Sequence, residues 1–245
     1  MQCLILAAGY ATRLYPLTEN FPKPLLEVQD KPILDWLIDD LETTGEVTGY
    51  IVVSNHRFKP HFDAWAAARP QRIEVVDDGT STNETRLGAV RDIQFAIDAL
   101  HLDDDLLVMA GDNLLDFSLA HFVNYALAKR TSCVMRYYEH DEKRLLKTGV
   151  LTIDENDRIL AMTEKSPTPA THWACPAFYY YRREEVARVS EAIADGCAVD
   201  APGSLVAWLC GRTAIHAMEM PGRRYDIGNL ASYQEVQQNY KGIQK

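Results

Sequence analysis

Short apolar runs alternate with amphipathic stretches through the first half of the chain. Residues 3–7 (CLILA), 49–54 (GYIVVS), 73–76 (IEVV) and 106–110 (LLVMA) have the length and aliphatic character of strands buried on both faces. Between them, residues 32–43, 57–68, 85–100 and 118–129 carry apolar side chains at helical spacing, several behind a proline or a small polar residue. Strand and helix in alternation predict a mostly parallel sheet covered by helices on both faces, with ligands collecting at the carboxyl ends of the strands. After residue 128 the texture changes. Residues 132–138, 148–153, 159–163 and 174–181 read as strands, with a turn at Asn156, Asp157 and Arg158, and predict antiparallel additions to the sheet. Helices over 183–194, 204–210 and 230–240 and a strand near 214–219 complete the pattern, without repeat, linker or low-complexity segment.

Composition narrows the classes. A chain of 245 residues that is 47% hydrophobic can build one large α/β domain or two small ones. Its 25 basic and 35 acidic residues give a net charge of −10, which argues against a general nucleic-acid or anionic-membrane surface and leaves room for a local basic pocket. Cys3, Cys133, Cys175, Cys197 and Cys210 are odd in number and contain no C-x-x-C pair, so neither a disulfide framework nor a structural zinc site is indicated, and a cytoplasmic location is expected. No apolar run approaches the roughly 20 residues that span a bilayer, and the opening MQCLILAAG lacks the basic start of a secretory signal.

Chemistry concentrates in the loop after the first strand. Gly9 offers a permissive backbone there, Arg13 a planar charged fork suited to phosphate oxygens, and Lys23 a compact point charge. Pro16, Pro22 and Pro24 restrict the loop, so the two cations can be held in defined places, as a polyphosphate cradle requires. Charge placement alone leaves open a solvated connecting loop. Asp112, just past the strand 106–110, and Asp226, in RRYDIGN, are ordinary turn or helix-start acids when considered singly. The acidic run Asp103, Asp104, Asp105 precedes its strand and reads as a solvated loop rather than a metal motif.

Residues 6–25, LAAGYATRLYPLTENFPKPL, closely resemble the signature L-A-A-G-x-G-T-R-L-x-P-x-T-x-x-x-P-K-P-L of the sugar-1-phosphate nucleotidyltransferases, which make nucleotide sugars. The resemblance extends to about residue 233. It implies a single domain over residues 1–245 with a three-layer α/β/α fold and a mixed, mostly parallel central sheet. The nucleotide-binding part would be about 1–130, the acceptor part about 131–228 and a C-terminal helix about 229–242. No room is left for the left-handed β-helix of some relatives, so acyltransferase activity is not expected.

The resemblance further implies site roles. Leu6, Ala8, Gly9, Ala11 and Thr12 would line the nucleotide, Arg13 would bind the β,γ-diphosphate leaving group, and Lys23 would contact the phosphates near the reacting centre. Asp112 looks like the acid of the family's G-D-x motif and Asp226 like that of its D-I-G motif, together holding Mg²⁺; Arg13, Lys23 and Asp112 would be the catalytic groups. Asn83 and Gly88, in NETRLGAV, resemble the base-recognition segment. Glu164 and Lys165, in MTEKSP, resemble the E-K-P motif whose acid contacts the sugar and whose lysine binds the acceptor phosphate, and Gly149 would let the sugar lie close to the backbone. Three departures stand out. Ala11 replaces the second glycine of the signature and is expected at negative φ, Ser166 interrupts the lysine-proline pair, and Pro176 and Ala177 replace a threonine and a glycine.

The implied reaction is Mg²⁺-dependent transfer of a nucleotidyl group from a nucleoside triphosphate, a pyrimidine favoured, to a sugar 1-phosphate with release of pyrophosphate. A cytidylyltransferase acting on phosphocholine or a phosphonate is the rival enzyme, with Trp173 and a tyrosine lining a cation pocket. A non-catalytic nucleotide-binding regulator is the rival of another class. Neither nucleic acid nor membrane is an expected partner, and a homo-oligomer stays open.

Overall fold

The computed structural model describes residues 1–244. In chain order the first half contains β1 (Gln2–Leu6), β2 (Glu27–Val28), β3 (Lys31–Pro32), α1 (Ile33–Glu42), β4 (Tyr50–Ser54), α2 (Lys59–Ala67), β5 (Ile73–Asp77), α3 (Ala89–Leu100), β6 (Leu106–Ala110), β7 (Asn113–Leu115) and α4 (Ala120–Lys129). There follow β8 (Ser132–Tyr138), α5 (Glu142–Leu145), β9 (Gly149–Ile153), β10 (Ile159–Glu164), β11 (Trp173–Cys175), β12 (Phe178–Tyr181), α6 (Arg183–Val186), α7 (Val189–Ala194), α8 (Gly203–Leu209), β13 (Ile215–Glu219), β14 (Arg224–Asp226) and α9 (Leu230–Asn239). These elements group into two compact units that interleave along the chain: Met1–Arg86, Ala110–His121 and the segment from Pro221 onward form the first, Leu87–Met109 and Phe122–Met220 the second. Residues 87–109 pack with the second unit and residues 221–228 with the first.

In the first unit β1 pairs with β4 and β4 with β5, all parallel. Aliphatic residues make this possible: β4 is buried at every position, whereas β5 exposes Glu74 and is only half buried. A separate hairpin-like pair joins β14 antiparallel to β7, with Asp226 opposite Asn113. Its supporting core contains Leu14, Leu114, Ile227, Val236 and Tyr240. The Tyr240 ring meets Trp36 and Tyr225 edge-on, and its buried hydroxyl donates to the Leu115 carbonyl at 2.8 Å, so α9 is locked to the short pair that carries Asp226.

The second unit is mainly antiparallel: β9 pairs with β10 and β11, β8 with β11 and β12, and β12 with β6, while β13 adds parallel to β8. The strand expected over 174–181 is broken at Pro176 and Ala177. Proline has no N–H for the ladder, and the Phe178 amide turns back to the Pro176 carbonyl at 2.8 Å, so the two pieces serve different neighbours. Similarly, α3 begins at Ala89 rather than at 85, because Gly88 adopts φ 93°, ψ 151°, which no helix contains. Asp226 ends a strand, and the helix starts at Leu230.

Ala11 departs from expectation most sharply. It sits at φ 47°, ψ 41°, in the left-handed region, not at negative φ. Three contacts enforce the conformation: its carbonyl accepts the Leu14 amide at 2.9 Å and the buried Thr18 hydroxyl at 2.8 Å, and its methyl packs against the core that holds Leu14. The backbone geometry that a glycine would supply is therefore kept, at a cost of about 1 kcal/mol.

Replacing Ala11 by glycine is expected to stabilise the fold by about 1 kcal/mol, raising the melting temperature by about 2–4 °C in a thermal scan. Tyr240→Phe should cost about 1 kcal/mol through the lost hydrogen bond and Tyr240→Ala about 3–5 kcal/mol through the cavity, both read by urea denaturation.

Candidate active site

At the carboxyl end of β1 the chain forms a cleft of about 160 Å³ lined by Gly9, Ala11, Arg13, Lys23, Asp112 and Gly228, among others. That volume is below the usual range for whole-ligand pockets and suits a phosphate chain. Two side chains hold the loop's shape. Buried Asn55, just past β4, donates to the Ala8 carbonyl at 2.9 Å, and Thr18 secures Ala11. Asn55 lay outside the sequence-based expectations, although its position beyond a strand's carboxyl end was a usable signal.

The proline-bounded turn at Lys23–Leu25 puts the Lys23 ammonium 2.7 Å from the Asp112 carboxylate. The lysine side chain is only 9% exposed, the aspartate 38%. Gly111 brings the two segments together: its amide donates to the Leu6 carbonyl at 3.2 Å, and a Cβ on it would stand 3.0 Å from Ile5 and 3.2 Å from Pro24. Burial pushes the Asp112 carboxyl up, but the Lys23 and Arg224 charges outweigh it and hold the group below the ordinary carboxylate range. Arg13 lies exposed on the rim of the cleft, with no hydrogen bond or ion pair to the other described residues.

Arg224 is a functional candidate that motif reasoning missed. It donates to Asn113 at 2.6 Å and lies 3.7 Å from Asp226, and period-two spacing in RYD was enough to place it on the Asp226 face of β14. The local sequence explains the site: Ile227 is fully buried and anchors the turn, Gly228 lines the cleft, and Asn229 caps α9 in a reciprocal arrangement with Ser232.

Asp112 and Asp226 therefore come from adjacent positions of one paired segment, Asp226 being opposite Asn113. Among the described residues no group of three or more His, Cys, Asp or Glu forms a ready-made metal cage. Two hard carboxylates, one of them firmly ionised, beside a phosphate-sized cleft still fit Mg²⁺, which takes few protein ligands and completes its shell with phosphate and water.

The remaining candidates lie in the second unit, except Asn83. The Asn83 side-chain and backbone oxygens accept from Arg86. Gly88 cannot carry a Cβ because one would stand 2.6 Å from the Val199 carbonyl, so its glycine requirement comes from the protein's own backbone. Glu164 and Gly149 face each other across β10 and β9, and a Cβ on Gly149 would meet a Glu164 oxygen at 2.9 Å. Burial pushes the Glu164 carboxyl up, partly countered by Lys165. Lys165 adopts φ 49° and pairs with Asp200 at 3.4 Å.

No aromatic cation pocket is formed by the candidates proposed for one. The Trp173 face already carries the Arg136 guanidinium at 4.5 Å, and Tyr179, Tyr180 and Tyr181 are buried. The acidic run, expected as a solvated loop, is tied to its neighbours: Asp103 pairs with Arg183, and Asp105 accepts from the Tyr180 hydroxyl and the Arg183 amide. All five cysteines are free, and among the described residues no helix is long and apolar enough to cross a membrane.

Comparison with known proteins agrees with this layout. The chain is 27% identical to the UTP–glucose-1-phosphate uridylyltransferase of Haloferax volcanii, over 97% of this chain and 96% of that one. It is 28% identical to the glucose-1-phosphate thymidylyltransferase of Mycolicibacterium smegmatis, over 74% of this chain and 61% of that one. A UDP-glucose pyrophosphorylase solved with UDP-glucose superposes with a TM-score of 0.82 at 20% identity, covering 98% of this chain and 97% of that one, and so shares its fold. The nucleotidyl transferase family model matches residues 2–242, nearly the whole chain, and the protein belongs to that family.

Proposed function

We propose that this protein transfers a nucleotidyl group from a nucleoside triphosphate to a sugar 1-phosphate, with Mg²⁺, and releases pyrophosphate. The observation that carries the reading is the Lys23–Asp112 pair in a phosphate-sized cleft rimmed by Arg13. The names of the relatives, one uridylyl- and one thymidylyltransferase acting on glucose 1-phosphate, support a sugar 1-phosphate acceptor. The occupied face of Trp173 gives the phosphocholine alternative no support.

In this reading an acceptor phosphate oxygen forms a bond to the α-phosphorus as the bond to the bridging oxygen of pyrophosphate breaks. A phosphate monoester has its second pKa near 6, so the nucleophile is already ionised at neutral pH and no general base is needed. Arg13 takes the β,γ-phosphates as a fork, and Lys23 neutralises charge near the α-phosphate. Glu164 holds a sugar hydroxyl and Lys165 the acceptor phosphate. Asp112 and Asp226 would hold Mg²⁺, which supplies positive charge against the phosphates. Asp112 also keeps the buried Lys23 ammonium paired until phosphate arrives, so the ligand-free loop carries no uncompensated charge.

Pyrophosphate release should be measured for five nucleoside triphosphates against sugar 1-phosphates, phosphocholine and 2-aminoethylphosphonate. Turnover with a sugar 1-phosphate, abolished by EDTA, is expected; turnover with phosphocholine or the phosphonate alone, or nucleotide binding with no turnover, overturns the reading. Lys23→Ala, Asp112→Asn and Asp226→Asn should each reduce kcat by about 100-fold or more, whereas Asp104→Ala should not.

Asp112→Asn should also destabilise the ligand-free protein by about 1–3 kcal/mol, less than a fully buried pair because Asp112 is partly solvated. A carboxyl held below its ordinary pKa of about 3.9 stabilises fully above that value and loses its contribution as pH falls through the lowered one. The stability difference between wild type and variant, read by denaturant melts, should therefore be constant near neutrality and shrink below about pH 4.

A further inference from the structure

Residues 199–203, VDAPG, take no part in the chemistry described above, yet they touch both ends of the second unit's ligand-facing residues. At one end Gly203 lies directly against the Glu164 carboxylate. A Cβ on Gly203 would overlap that carboxylate and the Met162 methyl, so Glu164 is seated between the bare backbones of Gly203 and Gly149. Asp200 meanwhile pairs with the Lys165 ammonium at 3.4 Å, while the Lys165 backbone is held in its left-handed conformation by donation to the Thr148 carbonyl at 3.0 Å. At the other end the Ala89 amide donates to the Asp200 carbonyl at 3.3 Å and the Val90 amide to the Val199 carbonyl at 3.0 Å. Gly88 presses on the same carbonyl so closely that its own Cβ would stand 2.6 Å away.

We propose that residues 199–203 are a positioning strap that sets Glu164 and Lys165 for the acceptor and couples them to the Gly88 segment, so that a change at one ligand's residues is felt by the other. The inference rests on the reading that Glu164 and Lys165 hold the phosphorylated sugar. Its physical basis is short and stiff: Pro202 restricts the backbone between the two ends, the Ala89 and Val90 amides fix one end by hydrogen bonds, and close packing of Gly203 against Glu164 and Met162 holds the other. A displacement of Val199 has few soft torsions to absorb it before Gly203. Coupling of this kind is reciprocal, so acceptor binding tightens or loosens the Gly88 segment by the same factor.

The test is a set of initial-rate measurements with the most active nucleotide and sugar 1-phosphate pair from the panel above, using the full chain. Lys165→Ala serves as the reference for the acceptor site. Gly203→Ala should raise the acceptor KM by about tenfold or more, because the carboxylate must move, while the nucleotide KM stays closer to wild type. Gly88→Ala should raise the acceptor KM as well as the nucleotide KM, which a residue confined to the nucleotide would not do. Asp200→Asn should raise the acceptor KM by about threefold, as expected for an exposed ion pair, and Asp200→Glu should restore it. Gly211→Ala, just past the far end of α8 and with no atom within 4 Å of its Cβ position, should leave both constants unchanged.

If Lys165→Ala leaves the acceptor KM at the wild-type value, the acceptor reading itself fails and the strap with it. If Lys165→Ala raises it but Gly88→Ala changes only the nucleotide KM, the coupling is refuted and the acceptor reading stands. A folded Gly203→Ala variant with an unchanged acceptor KM likewise overturns the strap. Should either glycine variant fail to fold, Asp200→Asn decides: it lies on the surface, and an unchanged acceptor KM refutes the positioning role.

Discussion

One ion pair governs the loop after β1. The Lys23 ammonium is almost fully withdrawn from water, and a buried ammonium persists only where a carboxylate answers it. Asp112 answers it at 2.7 Å from 89 positions further along the chain. The pair therefore ties the proline-bounded turn after β1 to the segment leaving β6, and the cleft between them takes its size from that tie. Everything that supports Asp112 supports the loop in turn: Gly111 allows the close approach, and Asn113 places Asp112 beside the β14 strand with Arg224 and Asp226.

Charge in this region is nearly balanced before any ligand binds. Two cations flank Asp112, which keeps it ionised, and Asp226 adds a second anion near Arg224. In the proposed reaction an arriving phosphate would change the partners rather than create a site from nothing: Lys23 would exchange a carboxylate for a phosphate oxygen, and Asp112 would be freed to hold a metal. Such an exchange would limit the desolvation cost of binding a polyanion, since the lysine has already been dehydrated during folding.

The second unit uses backbone where the first uses charge. Gly149 and Gly203 leave the Glu164 carboxylate its space, and Gly88 leaves space for the Val199 carbonyl. Three glycines thus have packing reasons that involve the chain itself, and a glycine in a resembling motif does not by itself mean that a ligand lies against it. Ala11 teaches the converse. A residue with a side chain is held in the left-handed region there by hydrogen bonds from Leu14 and Thr18 to its carbonyl.

Alternating apolar runs made the parallel strands β1, β4 and β5 legible, because strands within a covered sheet are rich in aliphatic residues even where, as at Glu74 of β5, one position is exposed, and helical spacing marked α1, α2 and α4 with ends shifted by a few residues. The opening signature was equally legible, since its prolines, glycine and cations act through local backbone and charge. Asp112 and Asp226 could be named as a pair only through the family resemblance. Their proximity was decided by the β7–β14 pairing, a contact between segments remote in sequence that no local pattern records. The partners of Arg224, Asn55 and the strap 199–203 became visible only in three dimensions. Each acts by contact with a residue remote in sequence, and such contacts come from the packing of the whole chain rather than from the preferences of any one stretch of it.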